Sequence, residues 1–151
     1  MTDEKVVIKF KKTRKEAQMP KADKLGDAGL DLFSAEQVQI PAGQLKVIST
    51  GIELADVNSD ASIDIEFKTR SSLGKKQLIV LGGICDMNYR GELKVILYNA
   101  SNEPYAVEVG HKIAQAVVHR IYLEGINLIV EETDTKTETL RGENGFGSTG
   151  A

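Results

Sequence analysis

Ser62-Ile63-Asp64-Ile65-Glu66-Phe67 alternates polar and apolar residues without a fault. Successive side chains of a strand point to opposite faces, so the stretch predicts a strand with one face in a core and the other toward solvent. The same character recurs on both sides. Residues 6–10, 45–54, 78–81, 93–98, 113–122 and 126–130 are short runs rich in valine, isoleucine and leucine. Branched side chains fit a pleated surface better than a helix. Turn signals separate the runs: Pro41-Ala42-Gly43, Asn58-Ser59-Asp60, Gly82-Gly83, Asn99 to Pro104, and Glu124-Gly125. No stretch offers three turns of helical periodicity, and residues 71–76 fit one helical turn. Many short strands between regular turns predict an all-β jelly roll.

Composition narrows the functions. The 151 residues allow one domain, or one domain with a tail. Lysine and arginine number 19 against 22 acidic residues, for a net charge of −3. That balance argues against bulk binding to nucleic acid. One cysteine excludes an internal disulfide and a cysteine-rich zinc site, and two histidines exclude a three-histidine metal centre. No apolar run approaches the ~18 residues that span a bilayer, and no signal peptide is visible. The expectation is a soluble intracellular protein. From Glu131 onward only Leu140, Phe146 and Ala151 are apolar. Such a tail cannot bury enough surface to order itself. The expected division is a folded domain over 1–131 and a flexible arm over 132–151.

Five clusters hold residues suited to chemistry. The arm carries Arg141-Gly142-Glu143-Asn144-Gly145-Phe146-Gly147-Ser148-Thr149-Gly150. Its glycines let backbone N–H groups close around an anion, and arginine grips phosphate oxygens in pairs. Phe146 has no core to join and suits stacking on a planar group. Gly142 and Gly147 have P-loop spacing, but Ser148 stands where that motif needs lysine. Thr69-Arg70-Ser71-Ser72-Leu73-Gly74 places a cation and two hydroxyls at the start of the one helical turn. Gly83-Ile84-Cys85-Asp86-Met87-Asn88-Tyr89-Arg90-Gly91 links two apolar runs and predicts a hairpin. Asp86 there reads as a turn-satisfying carboxylate or as a general base. Asp31 in Asp27-Ala28-Gly29-Leu30-Asp31-Leu32 and Gln115 in Gly110-His111-Lys112-Ile113-Ala114-Gln115 sit where strands usually place aliphatics. Each is a satisfied buried group or faces a site.

Taken together and in order, these segments resemble the five motifs of the trimeric dUTPase family, from residue 27 to residue 150. The resemblance implies a homotrimer of jelly-roll subunits that share their active sites. It implies Mg²⁺-assisted hydrolysis of dUTP to dUMP and pyrophosphate, which keeps uracil out of DNA and supplies dUMP for thymidylate synthesis. Mg²⁺ would be held by substrate phosphates and water, not by protein ligands. Asp86 would activate the water that attacks the α-phosphorus. Tyr89 would pack on the deoxyribose and leave no room for a 2′-hydroxyl. Backbone at Gly83 and Ile84 would read the uracil edge. Arg70, Ser71, Ser72 and Gln115 would hold the phosphates, with Asp31 and Lys112 in support. Phe146 would stack over uracil while Arg141, Gly147, Ser148 and Thr149 close on the γ-phosphate.

Four positions depart from the family pattern. Thr69 stands in place of proline, Cys85 in place of an aliphatic residue, and His111-Lys112 in place of Asp-Arg. The neighbouring dCTP deaminase reaction needs a glutamate where Ile96 stands. The retained Asp86, Tyr89 and arm favour turnover over a module that only binds nucleotides.

Overall fold

The structure is a computed structural model that describes residues 5–58 and 62–147. Ten strands and one helical turn follow in order. They are β1 (Ile8–Lys12), β2 (Leu30–Phe33), β3 (Val38–Ile40), β4 (Leu45–Val57), β5 (Ile63–Lys68), α1 (Ser71–Gly74), β6 (Leu78–Leu81), β7 (Ile84–Asp86), β8 (Glu92–Asn99), β9 (Tyr105–Val107) and β10 (Lys112–Arg120). One four-stranded sheet has the order β1-β4-β8-β6, a second has β2-β10-β5-β7, and β3 pairs with β9. Every strand pair is antiparallel.

The alternation in β5 does what the sequence predicts. Ile63, Ile65 and Phe67 are buried, while Asp64 and Glu66 lie on the other face. They join Leu32 and Ala114 of their own sheet and Ile48, Leu54, Leu93, Val95 and Leu97 of the other in one core cluster. Burying a side chain of this size contributes about 1.5–3 kcal/mol, so facing the two sheets is the dominant gain. Among the described residues no helix is long and apolar enough to cross a membrane.

Two expectations need correction. Residues 126–130 form no strand, and Glu124↔Leu128 is an isolated bridge. Ile126 and Ile129 are 72% and 81% exposed. The run has the right residues, but among the described residues no strand pairs with it, and strand stability comes from cross-strand neighbours. Residues 83–91 do not form a hairpin of paired strands either. β7 pairs with β5 in one sheet, and β8 pairs with β4 and β6 in the other. The turn therefore carries the chain from one sheet to the other.

Candidate active site

The first cleft forms where β2, β10 and α1 meet. Asp31 and Gln115 are cross-strand partners on β2 and β10, and Gln115 also lies opposite Lys68 on β5. Both point away from the core, which explains polar residues inside apolar runs. The Asp31 side chain is largely enclosed, and two cations hold it. Arg70 Nε lies 3.3 Å from Oδ1 and Lys112 Nζ lies 2.9 Å from Oδ2. Lys112 also reaches Asp23 at 3.5 Å. Its hydrogen bond to Asp31 is the main cause that holds the Lys112 ammonium above the usual lysine range. A lysine thus fills the charge role where the family pattern has arginine, without the planar fork of a guanidinium.

Backbone economy shapes the same cleft. A Cβ at Gly29 would stand 2.5 Å from Gln115 Oε1, so only glycine lets that amide lie against the chain. The Gln115 amide donates to the Thr69 carbonyl at 3.3 Å, and Thr69 Oγ1 accepts the Val80 N–H at 2.9 Å. The threonine that replaces proline therefore gives edge strand β6 a hydrogen bond. α1 begins directly after, with Ser71 facing the cleft. Arg70 donates to Ser72 Oγ at 3.2 Å, so Ser72 steadies the guanidinium and does not line the cleft. The cleft holds about 330 Å³, with Asp23, Asp27, Asp31, Arg70, Ser71, Lys112 and Gln115 in its wall. Asp23 escaped the sequence reading, since an exposed loop carboxylate carries no distinguishing pattern, and Asp27 opens one of the five clusters but has no role assigned to it there.

The second pocket is separate and shares no lining residue with the first. Its wall includes Ile84, Cys85, Asp86, Tyr89, Glu92 and Phe67, around about 280 Å³. Asp86 ends β7 with its side chain exposed. Among the described residues no group donates a hydrogen bond to its carboxylate or pairs with it. Across the strand pair it faces Asp64, whose carboxylate lies 3.1 Å from His119 Nδ1. Cys85 points the other way, into the core. Burial, and then the Asp86 charge, push its thiol above the ordinary range. A raised thiol is a poor nucleophile, so Cys85 acts as a small core side chain.

Gly83 is fixed by geometry. Its φ is +107°, and a Cβ would stand 2.7 Å from the Phe67 carbonyl oxygen. Its own carbonyl accepts the Phe67 N–H at 2.6 Å. The turn is closed by the Tyr89 N–H on the Asp86 carbonyl at 3.0 Å, and Arg90 Nη1 donates to the carbonyls of Met87 and Tyr89.

The remaining predicted residues lie elsewhere. Residues 131–147 carry no strand or helix, and none of them lines either pocket. Arg141 donates to the Asn144 carbonyl at 2.8 Å. Phe146 and Gly147 are exposed. Ser148 and Thr149 lie outside the described residues. Among the described residues no three histidine, cysteine, aspartate or glutamate side chains gather as a metal site.

Fold and clefts define a β-sandwich with a charged, hydroxyl-bearing cleft and a separate pocket that presents a carboxylate. Comparison with known proteins gives the class a family. The dUTPase family model matches residues 15–150. A deoxyuridine 5′-triphosphate nucleotidohydrolase of Clostridioides difficile is 38% identical over 146 residues, covering 95% of this chain and 97% of the relative. Its namesake from Clostridium novyi is 41% identical, over 92% of this chain and 95% of the relative. The solved structure of the Staphylococcus bacteriophage 80alpha dUTPase with dUPNHPP has a TM-score of 0.79 at 28% identity, covering 96% of this chain and 99% of that one. The chain belongs to the dUTPase family, and its β-sandwich is the family's jelly roll.

Proposed function

We propose that this chain hydrolyses dUTP to dUMP and pyrophosphate. The observation that carries the reading is the open Asp86 carboxylate beside Tyr89, in a chain of the dUTPase family. Asp86 takes a proton from a water molecule. The water oxygen bonds to the α-phosphorus, and the bond from that phosphorus to the bridging oxygen breaks. Pyrophosphate leaves with the bond's electron pair. A positioned base contributes about 10²–10⁴ in rate, and a carboxylate with no competing donor is available for the work. Tyr89 packs on the deoxyribose, and the backbone at Gly83 and Ile84 reads the base.

Arg70, Ser71 and Gln115 hold the phosphate chain, with Asp31 and Lys112 setting the charge. Three carboxylates against two cations line that cleft, so the wall has an excess of negative charge. Such a wall does not attract a bare triphosphate. It fits a triphosphate that brings a divalent cation, and Asp27, which accepts the Lys24 N–H and has no cationic partner among the described residues, is the carboxylate open to that cation's water shell. Mg²⁺ would neutralise phosphate charge when bound. Residues 132–151 act as an arm: Phe146 stacks on the base, and Arg141, Gly147, Ser148 and Thr149 close on the terminal phosphate.

We further propose a homotrimer whose sites form between chains. Leu45, Val47, Ile79, Leu81, Ile96 and Tyr98 share the outer face of the sheet that holds β4, β8 and β6. Leu45, Val47, Ile79 and Leu81 are exposed there. A contiguous apolar face of this kind suits burial against another chain better than solvent. It adjoins the Asp86 pocket, which Val47 and Ile96 help to line. The phosphate cleft and the Asp86 pocket are apart within one chain, which supports their meeting across a subunit boundary.

The deciding experiment is pyrophosphate release from dUTP, dCTP, dTTP and UTP in parallel, with Mg²⁺ and with chelator. Metal-dependent release from dUTP alone is expected. Equal release from UTP or dTTP, or ammonia release from dCTP, would reject the assignment.

A further inference from the structure

Glu92 begins β8, directly after the turn that carries Asp86 and Tyr89. A strand that starts on a carboxylate facing a pocket calls for an explanation, and the structure supplies one. Glu92 Oε1 accepts two hydrogen bonds from β4, one from the Ser49 hydroxyl and one from the Gly51 N–H at 3.0 Å. Ser49 is buried. Both donors lie in an irregular stretch of β4, where the register shifts between Ser49 and Glu53. The shift takes the Gly51 N–H out of the regular pairing, and the Glu92 carboxylate accepts it. A carboxylate that receives two donors from a core strand is held more firmly than a surface side chain.

The main chain of the same residue holds Tyr89. The Tyr89 hydroxyl donates to the Glu92 carbonyl at 3.1 Å. The ring folds back over Gly91, where a Cβ would stand 2.6 Å from the ring carbon that bears the hydroxyl. Tyr89 and Glu92 both line the pocket with Asp86. Ser49, Gly51, Glu92 and Tyr89 thus form one connected chain from the core to the pocket mouth.

We infer that Glu92 is a positioning residue: by tying the start of β8 to the β4 irregularity, it fixes the Tyr89 ring and so sets how strictly the site refuses a ribose. The inference rests on the reading of Tyr89 as the group that packs on the sugar. A steric filter works only if its wall cannot retreat, and a ring free to shift by a fraction of an ångström would admit one more hydroxyl.

The test is the ratio of kcat/KM for dUTP to that for UTP. A merely structural loss lowers the amount of active protein for both substrates alike and leaves the ratio unmoved. Glu92→Ala should lower the ratio about tenfold. Glu92→Gln keeps an oxygen acceptor for Ser49 and Gly51 and should restore most of it. Tyr89→Phe, which loses only the bond to the Glu92 carbonyl, should shift the ratio in the same direction. Combined with Glu92→Ala it should add little, since both changes cut one chain of contacts. If Glu92→Ala does not fold, Ser49→Ala and Tyr89→Phe each cut a single link and should still lower the ratio. Tyr89→Ala separates the two readings. If Tyr89→Ala lowers the ratio and neither Glu92→Ala nor Ser49→Ala does, the positioning role is wrong. If Tyr89→Ala leaves the ratio unchanged, the sugar-packing reading itself fails, and this inference with it.

Discussion

The two clefts are built on opposite plans. In the proposed phosphate cleft the central carboxylate is already answered, with Arg70 and Lys112 on Asp31 and Gln115 tied to the backbone of Thr69. In the other, the Asp86 carboxylate stands open while the scaffold around it is fixed by backbone and Tyr89 hydrogen bonds. The contrast has a chemical reason. Groups that bind a polyanion work best when they are arranged before it arrives, because no reorganisation is then needed. A general base must keep its lone pair for water, so a standing partner would disable it.

The sharpest test of that contrast is Asp86→Asn. It keeps shape and removes basicity, and turnover of dUTP should fall about 10²–10⁴-fold with nucleotide binding retained. Stopped-flow chemistry with equilibrium binding measures both. Turnover within a factor of a few of the parent would remove Asp86 from the reaction. Deleting residues 141–151 should come next, at about 10²–10³-fold, because on the proposed reading it removes phosphate donors and the stacking ring. Melting temperature should hardly move, and a truncated chain with full activity would sink the arm assignment.

Complementation asks whether the clefts meet between chains. Asp86→Asn and Ser71→Ala, each impaired alone, would be mixed, unfolded and refolded together. If one chain supplies the base and another the phosphate cleft, about a quarter of sites recover both. No recovery would put both halves of a site in one chain.

The smallest effect concerns the pre-paired side. Lys112→Met leaves Asp31 with Arg70 alone and should lower the melting temperature slightly, since the pair is near the surface. The Lys112 ammonium is held above its ordinary value of 10.5, with Asp31 the main cause. Raised in the folded state, it contributes stability fully below 10.5 and loses it as pH rises through the folded value. The melting gap between the two proteins should therefore stay constant from neutral pH to about 10 and close above that. A gap that closes on acidification to pH 6 instead would assign the effect to another group.

Much of this was legible in the chain. The alternation at 62–67 was enough to orient β5, and residues 71–76 gave the helical turn, because both patterns are local. Asp86 stood out at the end of an apolar run, and Asp31 and Gln115 stood out inside runs that usually hold aliphatics, while the roles of Arg70 and Tyr89 came only from the family resemblance. β2, β3 and β9 were not legible, being three or four residues long, and β2 carries Asp31 among its apolar residues.

The run at 126–130 shows the limit from the other side. Its composition says strand, but among the described residues no strand pairs with it. Ser49 and Glu92 show it again, since they meet across 43 residues of sequence and neither belongs to any motif. The all-β character and the family motifs could be read along the chain, because side-chain type and period are properties of neighbours in sequence. Folding alone settles which motifs share a cleft, that the Asp86 turn crosses between sheets, and that Asp31 is paired while Asp86 is open. Those depend on which strands pair, and pairing is settled by packing between residues far apart in the chain.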